Sequence, residues 1–244
     1  MITYKNVSKS YHKFSKAINN LNLEIPDGKV IGLLGHNGAG KTTTIKMTVG
    51  IYEPSEGEIL INGENILKNP IKVKKQIGFV PDNIFLNQNF TGNEYLVFIA
   101  NIYVLSKNDR INRIEELGKR FELLEFLNNR IKSYSRGMQQ KLAIIASLLN
   151  NPKVWVLDEP LNGLDPQSAY VLKEFIKEYA NKGNTVIFST HILEVAEKLC
   201  DELIILKKSD VVFKGTIDEL KIKYSSDSDL EEIFLNSINK PYKN

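Results

Sequence analysis

The chain has 244 residues, 42% of them hydrophobic and 25% charged, which is enough to bury a sizeable core and excludes a disordered chain. Its net charge of +3, from 32 basic and 29 acidic residues spread along the whole length, makes no case for nucleic acid as the main partner. The single cysteine, Cys200, forms no internal disulfide and reads as a small buried residue in a reducing compartment. No apolar run approaches the roughly 20 residues of a membrane helix, and the first residues lack the apolar stretch of a signal peptide, so the chain is expected not to span a membrane itself.

Residues 30–34 form a short apolar run ending in a glycine-rich turn, and residues 43–49 follow as a helix: strand, phosphate loop, helix. In Glu58-Ile59-Leu60-Ile61-Asn62-Gly63 an Asn-Gly turn follows alternating apolar residues, which predicts a hairpin. Strands are expected over residues 77–80, 154–157, 185–189 and 203–206, mostly with helical patterns between them, which points to a largely parallel sheet covered by helices. Between about Thr91 and Leu149 the strand signals stop. Thr91 with Glu94 predicts a capping box that opens a helix over residues 95–103, and residues 142–149 form another. This reads as a helical lobe inserted at about residues 83–150. Beyond Asp201 come two strand-like runs, a helical stretch over residues 229–235 and a polar tail.

Gly35-His36-Asn37-Gly38-Ala39-Gly40-Lys41-Thr42 satisfies the phosphate-loop pattern between an expected strand and an expected helix. Backbone N–H groups at a helix N-terminus surround an anion, and the glycines let the backbone approach it. Lys41 is assigned to the β- and γ-phosphates of a nucleotide and Thr42 to Mg²⁺, with Thr43 beside it in the nucleotide site. The buried run Val154-Trp155-Val156-Leu157 delivers Asp158 and Glu159 at a strand end, where ligands of open parallel sheets gather. Asp158 is expected to hold Mg²⁺ through water, and Glu159 to polarise the attacking water as general base.

Between these motifs lies Tyr134-Ser135-Arg136-Gly137-Met138-Gln139-Gln140-Lys141, and here the chain resembles the ATP-binding cassette (ABC) family. Arg136 stands in place of the first glycine of the family signature and Met138 in place of its glutamine. The resemblance extends from Ile2 to Lys223. Pro160-Leu161-Asn162-Gly163-Leu164-Asp165-Pro166 looks like the family's D-loop, and Ser189-Thr190-His191 looks like its switch histidine. It implies an α/β P-loop NTPase of ABC type: a RecA-like core, an N-terminal antiparallel β region and the inserted helical subdomain. The cassette would cover residues 1–224, with a C-terminal helical extension and tail over 225–244. ATP and Mg²⁺ are the implied cofactors.

By the same resemblance Ser135 and Gly137 contact a γ-phosphate, His191 acts with Glu159 and Lys41 in hydrolysis, and Tyr11 stacks on adenine, with His12 and Phe14 as competitors for that place. Asp82 occupies the position of a glutamine that senses Mg²⁺; a carboxylate there can still ligate the metal but adds negative charge. Asp82, the altered signature, the C-terminal 230–235 segment and the lack of an added regulatory domain resemble the drug-export and ABC-2 type cassettes, and imply export. The family's sites form between two cassettes, so a homodimer is implied, tied across its interface by Asp165. Membrane-spanning subunits on separate chains are also implied, placing the protein in the cytoplasm, peripheral on the inner face of the cell membrane. Residues 84–105, with Phe85, Phe90, Tyr95, Phe98 and Tyr103, are the candidate docking surface, Phe98 and Tyr103 being the more expected to pack in the core. The alternative is a soluble ABC ATPase acting on ribosomes or DNA.

Overall fold

A computed structural model describes residues 1–12 and 15–223. The expected helix at 229–235 and the tail, like Phe14 and the side chain of His12, lie outside what is described. The chain opens with a long antiparallel pair, β1 (Ile2–His12) and β2 (Ser15–Ile25). β3 (Val30–Leu34) then leads through the phosphate loop into α1 (Lys41–Thr48). β4 (Glu56–Ile61) and β5 (Glu64–Asn65) form the expected hairpin, with Asn62 and Gly63 at φ 51° and 78° as an Asn-Gly turn of this kind demands. These strands make a four-stranded antiparallel sheet in the order β2-β1-β4-β5.

After the short α2 (Pro70–Lys74) comes β6 (Ile77–Val80), and then the helices α3 (Gly92–Ile102), α4 (Lys107–Arg120) and α5 (Arg136–Leu148) with two short 3-10 turns. Both halves of the Thr91–Glu94 capping box are formed. The chain is helical over only Gly92–Ile102 within residues 84–105; residues 84–91 form an extended, turning approach to the Thr91 cap. The helix expected at 142–149 starts six residues earlier, because Ser135 caps it, so the signature residues 136–138 form its first turn.

The remaining elements alternate: β7 (Val154–Asp158), α6 (Pro166–Asn181), β8 (Thr185–Ser189), α7 (Leu193–Leu199), β9 (Glu202–Lys207), β10 (Asp210–Gly215) and α8 (Ile217–Lys223). The six-stranded sheet runs β10-β9-β3-β8-β7-β6, parallel except for β10. Its faces follow the two-residue period of a strand. Val154, Val156 and Ile187 face α1 and the antiparallel sheet. Trp155, Leu157, Val186 and Phe188 face the other way, into the core shared with α3, α5 and α6. Parallel pairing sets the C-terminal ends of β3, β8, β7 and β6 side by side, so their loops meet at one edge. Among the described residues no helix is long and apolar enough to cross a membrane.

Candidate active site

The phosphate loop is held open by its glycines. Gly40 has φ 110°, and a Cβ there would lie 2.6 Å from Ile18 Cδ1 and 2.7 Å from the Ala17 carbonyl oxygen. Gly38, at φ 81°, meets nothing within 4 Å, so its backbone faces open space. Side chains of Thr91, Ser106, Ser135 and Asp165 cap α3, α4, α5 and α6, whereas α1 has no side-chain cap. Its first-turn N–H groups lack intrahelical partners and mark a site for an anion. Lys41 bends back over the loop, Nζ donating to the Gly35 carbonyl at 2.6 Å. Burial pulls its pKa below that of an ordinary lysine, while the charges of Glu159 and Asp158 act the other way.

Ser189, at the end of β8, links the two acidic residues. Its hydroxyl donates to Asp158 Oδ1 at 2.6 Å and accepts the Glu159 N–H at 3.0 Å. Burial raises the Asp158 pKa and the Asp82 charge adds to that; the hydrogen bonds from Ser189 and Thr42 and the charge of Lys41 lower it. Glu159 takes φ 49°, a left-handed conformation that costs energy outside glycine. Its Oε2 lies 3.0 Å from His191 Nδ1. A cleft of about 420 Å³ is lined by Gly35, His36, Asn37, Asp82, Glu159 and His191, and Asn162 reaches Asp82 Oδ1 at 3.4 Å. Ala39 packs in the core beneath the loop.

Residues 18–162 match the family described as ABC transporter. The ABC transporter ATP-binding protein NatA of Bacillus subtilis is 36% identical over 98% of this chain and 98% of its own. The chain belongs to the ABC transporter family, as an ATP-binding subunit. Among solved structures, an ATP-binding subunit of an ABC transporter superposes on this cassette with a TM-score of 0.91, at 32% identity over 97% of this chain and 99% of the other. The cassette MJ0796, solved as a dimer in a post-hydrolysis state bound to ADP and Pi, gives 0.81 at 28% identity over 89% and 99%.

The donors of this cassette fit Mg-ATP. The uncapped α1 and the open glycine backbone suit phosphate, and Thr42, Asp158 and Asp82 supply the hard oxygens that Mg²⁺ prefers. Among the described residues no three acidic, His or Cys side chains converge on a metal site. Tyr11 is 50% exposed, and its hydroxyl meets Thr43 Oγ1 at 3.1 Å, so it stands at the α1 side of the loop.

Ser135 and Gly137 do not line the cleft. Ser135 Oγ accepts from the Met138 N–H at 3.2 Å, and a Cβ on Gly137 would lie 3.0 Å from the Gly163 carbonyl oxygen. Gln140 Nε2 donates to the Pro160 carbonyl at 3.0 Å, joining α5 to the segment after Glu159. The Asp165 carboxylate caps α6 through Ser168, and those hydrogen bonds hold its pKa below the ordinary range. The linking roles of Ser189, Gln140 and the Asn162–Asp82 contact were not read from the sequence. The first two required knowing that β7 neighbours β8 and that α5 lies beside the Pro160 turn, neither of which is a spacing in the chain.

Proposed function

We propose that two copies of this cassette close head to tail around two ATP molecules and hydrolyse them to drive export through separate membrane subunits. The observation that carries this is a division within the chain: its cleft is lined by Gly35, His36 and Asn37 at the start of the phosphate loop and by Glu159 and His191, while Ser135 and Gly137 lie outside it. Both present donors at an exposed helix start, as a second copy's γ-phosphate would require.

In each site Lys41 binds the β- and γ-phosphates and the N–H groups of the loop surround them. Thr42, Asp158 and Asp82 would hold Mg²⁺, which when bound neutralises charge on the phosphate oxygens. Glu159 orients a water and accepts its proton as the water oxygen bonds to the γ-phosphorus; ADP leaves with the electron pair of the broken bond. His191, fixed by Glu159, contacts the γ-phosphate. Opening after hydrolysis resets the pair. Asp82, Arg136 and Met138 support the export direction by their likeness to drug-export cassettes.

The membrane subunit would dock in an apolar groove of about 400 Å³ whose lining includes Pro81, the neighbour of Asp82, with Phe85, Tyr95, Ile99 and Tyr103. Such docking places the cassette at the inner face of the membrane. Glu159→Gln should lower hydrolysis by about 10²–10⁴-fold and hold an ATP-bound dimer visible by light scattering. A monomer at saturating Mg-ATP would overturn two-site closure. For transport, the tagged chain should retrieve a polytopic membrane protein in stoichiometric amount from mildly solubilised membranes. Retrieval of ribosomal or DNA-bound partners alone would overturn that part and leave the ATPase chemistry.

A further inference from the structure

Tyr52, on the loop after α1, has no part in the site described so far. It is partly buried against the core beneath the antiparallel sheet, and its N–H donates to the Lys46 carbonyl at 3.1 Å. The Tyr11 ring stands against it with centroids 5.8 Å apart and planes at 81°, the edge-to-face geometry that aromatic pairs favour. Two ammonium groups fasten the pair. Lys46 Nζ lies 5.2 Å from the Tyr52 ring, and Lys9 Nζ lies 5.7 Å from Tyr11 and 5.8 Å from Tyr52. Lys9 is itself fixed, donating to the Glu53 carbonyl at 2.7 Å. The Tyr11 hydroxyl meets Thr43, the next residue after Thr42 on the first turn of α1.

We propose that Tyr52 is a positioning residue for the nucleotide: it fixes the Tyr11 ring as the platform for the base, in register with the phosphate-binding turn of α1. This rests on the reading of Tyr11 as the ring that stacks on the base. A half-exposed tyrosine without a backing ring samples several rotamers and must be ordered when ligand arrives; a ring held between Tyr52, Lys9 and Thr43 is ordered beforehand, and binding keeps that difference. Tyr52 suits the role because it is anchored in the protein on one side and meets Tyr11 on the other.

The test is calorimetric titration of the full chain, with Mg²⁺, by ATP and by inorganic tripolyphosphate, which carries no base. Tyr52→Ala should weaken ATP by about three- to tenfold, the range of an edge-to-face aromatic pair, and leave tripolyphosphate within about twofold of wild type. Tyr52→Phe keeps the ring and should restore ATP affinity. In a Tyr11→Ala background, Tyr52→Ala should cost nothing more. Wild-type ATP affinity in Tyr52→Ala, with Tyr11→Ala weakened, overturns the positioning role alone. Wild-type affinity in Tyr11→Ala overturns the platform reading and the proposal with it. An equal loss for ATP and tripolyphosphate overturns the proposal too, since the phosphate site would then be what Tyr52 supports.

Discussion

Asp158 sits at the end of β7, only 3% exposed, and burial holds its carboxyl above the ordinary 3.8 despite donors from Ser189 and Thr42. Between 3.8 and the raised native value the folded chain therefore binds more protons than the unfolded one, so stability falls as pH rises through that window. Above that window the buried charge opposes folding. Asp158→Asn keeps an acceptor for Ser189 and removes the charge. Without nucleotide or Mg²⁺ it should melt above wild type at pH 7, by about 1.4 kcal/mol for each unit of raised pKa, or roughly 2–4 °C per kcal/mol. It should also lose hydrolysis. A calorimetric midpoint at or below wild type would mean that the hydrogen bonds of the carboxylate outweigh its burial. Ser189→Ala should act oppositely: it strips Asp158 of a donor and leaves the Glu159 N–H without its acceptor, costing about 1–3 kcal/mol in urea unfolding.

At the scale of elements, the close packing of β6 under α5 ties the sheet to the signature helix. A Cβ on Gly78 would lie 2.2 Å from the Ser147 carbonyl oxygen, and Ser147 Oγ accepts the indole N–H of Trp155 at 2.9 Å. Gly78→Ala must push α5 off the sheet, at a cost of about 1–3 kcal/mol. Trp155 is the single tryptophan and fully buried, so its emission reports the change: a red shift and a lower urea midpoint are expected, and an unchanged spectrum would show that α5 yields without strain. What the sequence revealed at this scale was uneven for physical reasons. β3, β6 and β8 were legible to the residue because short apolar runs bounded by turn residues leave little choice of register. The long β1–β2 pair was not. Its register shifts near Val7 and Lys9, and the left-handed Asn6 and Asn20, break the alternation that marks a strand. The phosphate loop and the Asp158–Glu159 pair were legible because each is contiguous, whereas the Ser189 link and the Tyr11–Tyr52 pair join residues far apart in the chain.

Across the whole molecule, the apolar groove draws its walls from the loop after α1, from β6, and from α3 and α5. Ile51 lies ten residues beyond Lys41, Phe79 and Pro81 lead to Asp82, and Ala143 and Ala146 lie on the helix that Ser135 caps. An occupant of this groove would therefore touch the supports of both halves of the proposed site, which is what coupling hydrolysis to a membrane subunit needs. The aromatic residues of segment 84–105 divide differently from expectation. Phe98 is 51% exposed and packs edge-on against Phe90 rather than in the core, and neither lines the groove, whereas Tyr103 does. Phe85 is 92% exposed at its mouth. A side chain that buries so little contributes little to folding, so Phe85→Ser should leave the melting temperature and basal ATP hydrolysis of the isolated cassette as in wild type, within about 0.5 kcal/mol. Recovery of the membrane subunit from detergent-solubilised membranes should fall severalfold, because a large aromatic side chain that is exposed in the free cassette and covered on docking contributes strongly to binding. Equal recovery of that subunit by Phe85→Ser and wild type would place the docking surface elsewhere on the cassette and leave the groove without this role.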